Sequence, residues 1–111
     1  MSSHRIERLK EEVRQIVTEI LLYEMRDPRF QHIIVTKVHL TKDLSLARIY
    51  YEKGATSESK EALQEAFEKA KGFVRRRLAS QLKLRIMPQV EFYFDETSQE
   101  IQRVEELFSK L

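Results

Sequence analysis

The spacing of apolar residues near the N-terminus predicts an amphipathic helix from about Ser3 to Met25. Its apolar stripe recurs every three or four positions and contains Ile6, Leu9, Val13, Ile16, Val17, Ile20 and Leu21. Charged residues occupy the other face, so we expect one side of the helix to pack on a core. The helix should end at Asp27-Pro28, because the residue before a proline is disfavoured in helical geometry.

The next two segments predict a β-hairpin. Residues 33–40 are rich in β-branched side chains and residues 46–51 predict a second strand, with turn-forming residues at 41–43 between them. Side chains alternate between the two faces of a strand, and in the second strand the face away from the core should carry Arg48 and Tyr50.

The middle of the chain predicts two consecutive helices that meet at a bend near residues 70–72. Ser57 is the expected N-cap of the first helix. The inward positions before the bend are Leu63, Ala66, Phe67 and Ala70, and those after it, in a shifted phase, are Phe73, Val74, Leu78 and Leu82. Gly72 lies at the phase shift, and a glycine inside a helix costs about 1 kcal/mol relative to alanine, so we expect a reason for it.

A third strand is predicted at about residues 84–94, with Pro88 near its start, and a last helix is predicted to open at Thr97. The predicted order is therefore helix, strand, strand, helix, bend, helix, strand, helix. Three strands with one apolar face need helices on that face, which gives an α+β fold. At 111 residues, the chain is expected to form a single domain over residues 1–111.

Composition excludes several classes of protein and site. The chain has no cysteine, so disulfides, thiolate nucleophiles and cysteine-based zinc sites are excluded. No apolar run approaches the roughly 18 residues of a membrane span, and the first residues continue into a charged amphipathic pattern rather than a secretion signal. We therefore expect a cytoplasmic protein without a membrane partner.

No catalytic or metal-binding motif is visible. With only two glycines there is no phosphate-cradling loop, and His4, His32 and His39 are scattered without ligand spacing. Each aspartate that adjoins a turn is expected to cap backbone there, and these are Asp27, Asp43 and Asp95. We expect no enzyme activity, no cofactor and no metal.

A basic block is the main indication of function. Residues 69–85 contain seven basic residues and no acidic one, whereas the net charge of the whole chain is only +2. Such a block favours a contact with nucleic-acid phosphates, and a helix beginning after Gly72 would add its positive dipole end. The candidate RNA-binding residues are Lys69, Lys71, Gly72, Arg75, Arg76, Arg77, Lys83 and Arg85.

Aromatic residues leave a second binding mode open. Tyr50 and Tyr93 are expected on the sheet face away from the helices, near Lys37, His39 and Arg48, where exposed rings can stack on bases. Ordinary strand propensity is the favoured explanation of the two tyrosines. Glu91 and Asp95, expected on the same face, would repel phosphate.

Four patterns, in order and at matching separations, resemble the ribosome-binding factor A family over nearly the whole chain. They are a helix that ends in Asp-Pro-Arg, a hairpin with Asp-Leu in its turn, an Ala-x-Gly bend followed by Phe and Arg, and a strand with Leu-Arg, Pro, Phe and Asp. Here they are Asp27-Pro28-Arg29; Val38, Asp43-Leu44, Ala47 and Tyr50; Ala70-Lys71-Gly72-Phe73-Val74-Arg75; and Leu84-Arg85, Pro88, Phe92 and Asp95.

The resemblance implies a type II KH-like fold with a three-stranded mixed sheet covered by helices. It also implies an assembly factor that binds free small ribosomal subunits through 16S rRNA, supports late rRNA maturation and matters most in the cold. We expect the protein to be a monomer. Two alternatives stay open at this point. One is an rRNA-processing nuclease, although clustered carboxylates are not evident, and the other is a helix-mediated protein adaptor without RNA binding.

Overall fold

The structure is a computed structural model that describes residues 3–97 and 107–109. Its helices and strands are α1 (Ser3–Glu19), continued by a π-helical turn (Ile20–Glu24), a 3-10 turn (Pro28–Phe30), β1 (Ile34–Leu40), β2 (Leu46–Glu52), α2 (Lys60–Gln81) and β3 (Gln89–Phe94). The predicted first helix and hairpin are thus confirmed, with the π-helical turn carrying the first helix to Glu24. No helix in the described ranges is long and apolar enough to cross a membrane.

The strands form one sheet in the order β1-β2-β3. β1 and β2 are antiparallel, and β2 and β3 are parallel. Parallel neighbours need a long crossover, which α2 supplies between β2 and β3. This arrangement confirms the α+β class and the mixed, helix-covered sheet of the KH-like type II fold.

The core lies between the sheet and the two long helices. α1 packs on β1, and α2 packs on β3. Every strand alternates buried and more exposed positions, so one sheet face carries the core, and the helices that the structure describes at residues 3–24 and 60–81 lie on that face. Fully buried Phe67 of α2 contacts three other rings at the centre of this layer: Phe30, Tyr51 and Phe92. These rings make the core a specific packing arrangement as well as an apolar one.

The predicted bend is wrong, because α2 is one continuous helix of 22 residues through Gly72. The buried positions of α2 form a single stripe at helical spacing: Leu63, Ala66, Phe67, Ala70, Val74 and Leu78. Phe73 is only partly buried against the core. Counting Phe73 as an inward residue created a phase shift that the helix does not have.

Two further boundaries differ from the prediction. Ser59, not Ser57, caps α2, and its hydroxyl accepts the Ala62 N–H at 3.0 Å. The third strand begins at Gln89 rather than Leu84. Pro88 lies immediately before it, and its carbonyl accepts a hydrogen bond from the Arg75 side chain instead of joining the sheet.

The predicted last helix lies largely outside the described residues, which omit 98–106. Residues 107–109 are helical, and both Leu107 and Phe108 are exposed.

Candidate nucleic-acid interface

The three consecutive arginines of α2 have three different environments. Arg75 is partly buried, and its guanidinium donates to the carbonyls of Pro88 and Met87, both at 2.9 Å. Arg75 therefore fixes the segment that leads into β3. Arg77 forms an ion pair with Glu24, with 2.6 Å between Nε and Oε1, and so links α2 to the π-helical turn.

Arg76 differs from both neighbours in having no partner among the described residues. Its side chain is exposed and makes no hydrogen bond or ion pair with any described residue. It also lies over Gly72, because a Cβ built on Gly72 would be 3.5 Å from Arg76 Nη1. The guanidinium of Arg76 thus lies over the one position of this turn that has no side chain.

A groove of about 470 Å³ runs beside this position, between α2 and β3. Its lining residues are Glu68, Lys69, Lys71, Gly72, Arg75, Gln89, Val90 and Glu91. The predicted block therefore faces carboxylates from the preceding turn of α2 and from β3. The acid-free run in the sequence does not become an acid-free surface.

The two lysines of the groove are paired with glutamates of their own helix. Lys69 Nζ lies 3.3 Å from Glu65, and Lys71 Nζ lies 2.8 Å from Glu68. The hydrogen bond to Glu68 raises the pKa of Lys71. Exposed pairs of this kind contribute at most about 1 kcal/mol, so a phosphate can take the place of the carboxylate.

The remaining predicted residues lie beyond the end of α2. Arg85 is exposed, and Lys83 lines a second groove of about 330 Å³ together with Arg5 and Arg8 of α1. The sequence prediction omitted these two arginines of α1. The sequence did contain a signal for these two arginines. Basic residues at the start of a helix oppose its dipole, so their presence there suggests a role other than helix stability.

The three aspartates beside turns have the capping role expected of them. Each carboxylate accepts the backbone N–H two residues later: Asp27 from Arg29 at 2.9 Å, Asp43 from Ser45 at 3.0 Å and Asp95 from Thr97 at 3.0 Å. Hydrogen bonds from Arg29, Ser45 and Thr36, respectively, hold their pKa values below the ordinary range. These carboxylates are engaged in turns at three separate places in the chain.

Asp95 also stabilises a β-bulge in the sheet. The register between β1 and β2 shifts between Val35 and Lys37, which leaves Thr36 as a bulged residue. The Thr36 hydroxyl donates to Asp95 Oδ2 at 2.6 Å, and Asp95 is only 8% exposed. This contact ties β1 to the end of β3 across β2.

Replacing Asp95 should therefore change how stability depends on pH. The folded-state pKa of Asp95 is lowered, so its contribution is complete above the unfolded value of about 3.9 and is lost as pH falls through the folded value. We expect Asp95→Asn to lower the free energy of unfolding at neutral pH by about 1–2 kcal/mol. Below about pH 4, stability should fall less steeply in the variant than in the parent.

Urea unfolding at a series of pH values measures both effects. Asp43→Asn is the matched control, since its carboxylate also accepts a backbone amide but lies on the surface, and its effect should be smaller. Parallel pH profiles for Asp95→Asn and the parent protein would contradict the role given to Asp95.

Histidines and acids do not assemble into a metal site within residues 3–97 and 107–109, where no group of three suitable ligands occurs. His4, His32 and His39 are all exposed.

Comparison with known proteins agrees with this architecture. A family model described as ribosome-binding factor A matches residues 5–108. Ribosome-binding factor A of Desulfatibacillum aliphaticivorans is 36% identical over 107 residues, covering 96% of this chain and 87% of that protein.

Solved structures show the same likeness. The crystal structure of ribosome-binding factor A from Thermus thermophilus has a TM-score of 0.69 at 25% identity, over 78% of this chain and 92% of that one. Coordinates of the Thermus thermophilus factor, a homology model fitted into the cryo-EM map of a 30S–RbfA complex, have a TM-score of 0.67 at 26% identity, over 81% and 94%. With a family model that spans nearly its whole length, the chain belongs to the ribosome-binding factor A family.

Proposed function

We propose that this protein is an assembly factor that binds free small ribosomal subunits through the phosphates of 16S rRNA. The observation that carries the proposal is Arg76, an exposed cation without a partner among the described residues, beside a groove that holds Lys69 and Lys71. The fit of a Thermus thermophilus relative into a 30S complex supports the choice of partner.

The surroundings of each basic side chain determine how it can contribute to binding. Arg76 offers a planar group with several N–H donors, which suits phosphate oxygens. Lys69 and Lys71 exchange weak surface pairs for phosphate contacts. Arg75 and Arg77 act on the fold, because their guanidinium groups are bound to Pro88, Met87 and Glu24.

We also propose that residues 1–111 form one RNA-binding domain, that the protein acts as a cytoplasmic monomer, and that it supports late rRNA maturation, with most effect in the cold. It would act by occupying rRNA rather than cutting it. The engagement of Asp27, Asp43 and Asp95 in backbone turns supports this interpretation over the nuclease alternative.

Charge reversal at Arg76 should weaken binding to the small subunit. A hydrogen bond to a charged group contributes about 1.5–3 kcal/mol, so Arg76→Glu should reduce affinity roughly tenfold or more. Loss of one phosphate contact should also reduce the slope of log affinity against log salt by about 0.7–0.9. Co-sedimentation with purified small subunits at several salt concentrations measures both quantities.

Lys53→Glu is the control, because Lys53 follows β2 and the substitution changes net charge by the same amount. Arg75 stays unchanged in this test, since its loss would release the segment before β3. An Arg76→Glu protein that binds with unchanged affinity and salt slope would refute the assignment. A salt-independent interaction would instead support the protein-adaptor alternative.

A further inference from the structure

The open face of the sheet, away from α1 and α2, carries two rows of side chains in register across the three strands. One row contains Lys37, Tyr50 and Tyr93, and the next contains His39, Arg48 and Glu91. Cations and aromatic rings therefore lie side by side on a surface that the described helices leave uncovered.

In the first row, Tyr50 lies between two neighbours. Lys37 Nζ is 4.6 Å from the centre of the Tyr50 ring on one side. On the other side the ring centres of Tyr50 and Tyr93 are 5.7 Å apart, with 31° between their planes. Tyr93 is the outer member, since β3 is an edge strand, and 39% of it is exposed. The ring with a free side is thus that of Tyr93.

In the second row, Arg48 has an unsatisfied N–H group. Its Nε is buried and has no acceptor in the part of the chain that the structure describes. The carboxylate of Glu91, its neighbour in register, accepts a hydrogen bond from the Tyr93 hydroxyl instead. A buried N–H without an acceptor is costly, and this one has no exposed surface, so a ligand oxygen reaches it only when the Arg48 side chain turns outward.

Glu91 joins this face to the proposed phosphate site. It lines the groove that contains Lys71 and Gly72, and it also accepts the hydrogen bond from Tyr93. An RNA strand that leaves the groove at β3 therefore passes from Lys71 to Tyr93 beside the Glu91 carboxylate, which its phosphates must avoid.

We propose that the open sheet face binds unpaired RNA, with one base stacked on Tyr93 and the backbone held by Arg48. This inference rests on the proposed function, since the same RNA strand would occupy the groove. An aromatic ring beside a guanidinium whose Nε lacks an acceptor fits a nucleotide, which offers a flat base and a phosphate together. Duplex RNA does not fit, because its bases are stacked on each other and have no free face.

A tryptophan at position 93 provides a direct test, because the chain contains no tryptophan. Emission from Tyr93→Trp should fall when single-stranded oligouridylate is added, since a base stacked on the indole quenches it. A hairpin duplex of similar length should leave the emission unchanged. Tyr23→Trp is the control, because Tyr23 is 77% exposed in the π-helical turn and should not respond to either RNA.

Affinities measured by fluorescence anisotropy complete the test. Tyr93→Ser should weaken oligouridylate binding about 5- to 150-fold, whereas Tyr93→Phe keeps the ring and should bind nearly as the parent does. The phenylalanine variant also keeps the experiment informative if the serine variant folds poorly.

The outcomes separate this inference from the proposed function. If Arg76→Glu weakens small-subunit binding while Tyr93→Trp and Tyr93→Ser behave as controls, the phosphate site stands and the stacking inference is wrong. If oligouridylate quenches Tyr93→Trp but no variant changes small-subunit binding, the sheet face binds RNA and the proposed subunit contact is wrong. Equal quenching by the hairpin duplex would overturn the preference for unpaired RNA.

Discussion

Phe67→Ala should lower the free energy of unfolding by about 3–5 kcal/mol, which is a large part of the stability of a small domain. Phe67 has no exposed surface, and its ring centre lies 4.3 Å from those of Tyr51 and Phe92 and 4.9 Å from that of Phe30. Removing the ring takes one partner from each of three aromatic contacts. The sheet and α2 cannot close the space without separating the other rings.

Phe73→Ala is the matched control, since it is the same substitution further along the same helix. Phe73 only packs against the edge of the core, so its loss should cost much less. Urea unfolding of both variants measures the difference. Equal losses of stability would show that the ring cluster is not the centre of the core.

Gly54→Ala should lower the free energy of unfolding by about 3 kcal/mol or more, although Gly54 lies on the surface. Gly54 has a φ of +66°, which is costly for residues with a Cβ. A Cβ there would also lie 1.9 Å from the carbonyl oxygen of His32, so the loop or the segment before β1 must move. Each kilocalorie corresponds to about 4–8 °C in Tm for a domain of this size, so a thermal melt measures the loss.

The other glycine of the chain should respond in the opposite direction. Gly72 has helical geometry, and a Cβ there would meet only Arg76 Nη1 at 3.5 Å. Gly72→Ala should therefore stabilise α2 by up to about 1 kcal/mol. If both alanine variants melt like the parent protein, the backbone argument fails at Gly54 and at Gly72 alike.

Local patterns of the sequence were sufficient to predict α1, the hairpin and the buried face of β2. These elements depend on residues close together in the chain, such as the stripe from Val13 to Leu21 and the alternation from Ala47 to Tyr51. The continuity of α2 was not predicted, because the apolar Phe73 is only partly buried. Hydrophobicity alone does not show how far a side chain will be covered.

The candidate site, like the fold, could be predicted from the sequence only in part. A basic block was visible in the sequence, but the environment of each arginine depends on distant residues. Arg77 is bound to Glu24, 53 residues away, and Arg75 is bound to carbonyls 12 and 13 residues further on. Only tertiary packing separates the arginines that support the fold from Arg76, which is free to meet a ligand.

The unbroken course of α2 has a consequence for which RNA conformations the protein can select. Lys69 and Arg76 belong to one continuous helix, and seven residues of helix separate them by about 10 Å along its axis. A hinge at Gly72 would have let this spacing adapt to the ligand. The helix fixes the spacing of the two backbone positions, so ordering of the protein on binding is confined to the two side chains, and the RNA must supply phosphates at a matching distance. Discrimination between folded forms of one RNA sequence can thus arise without any contact that reads a base.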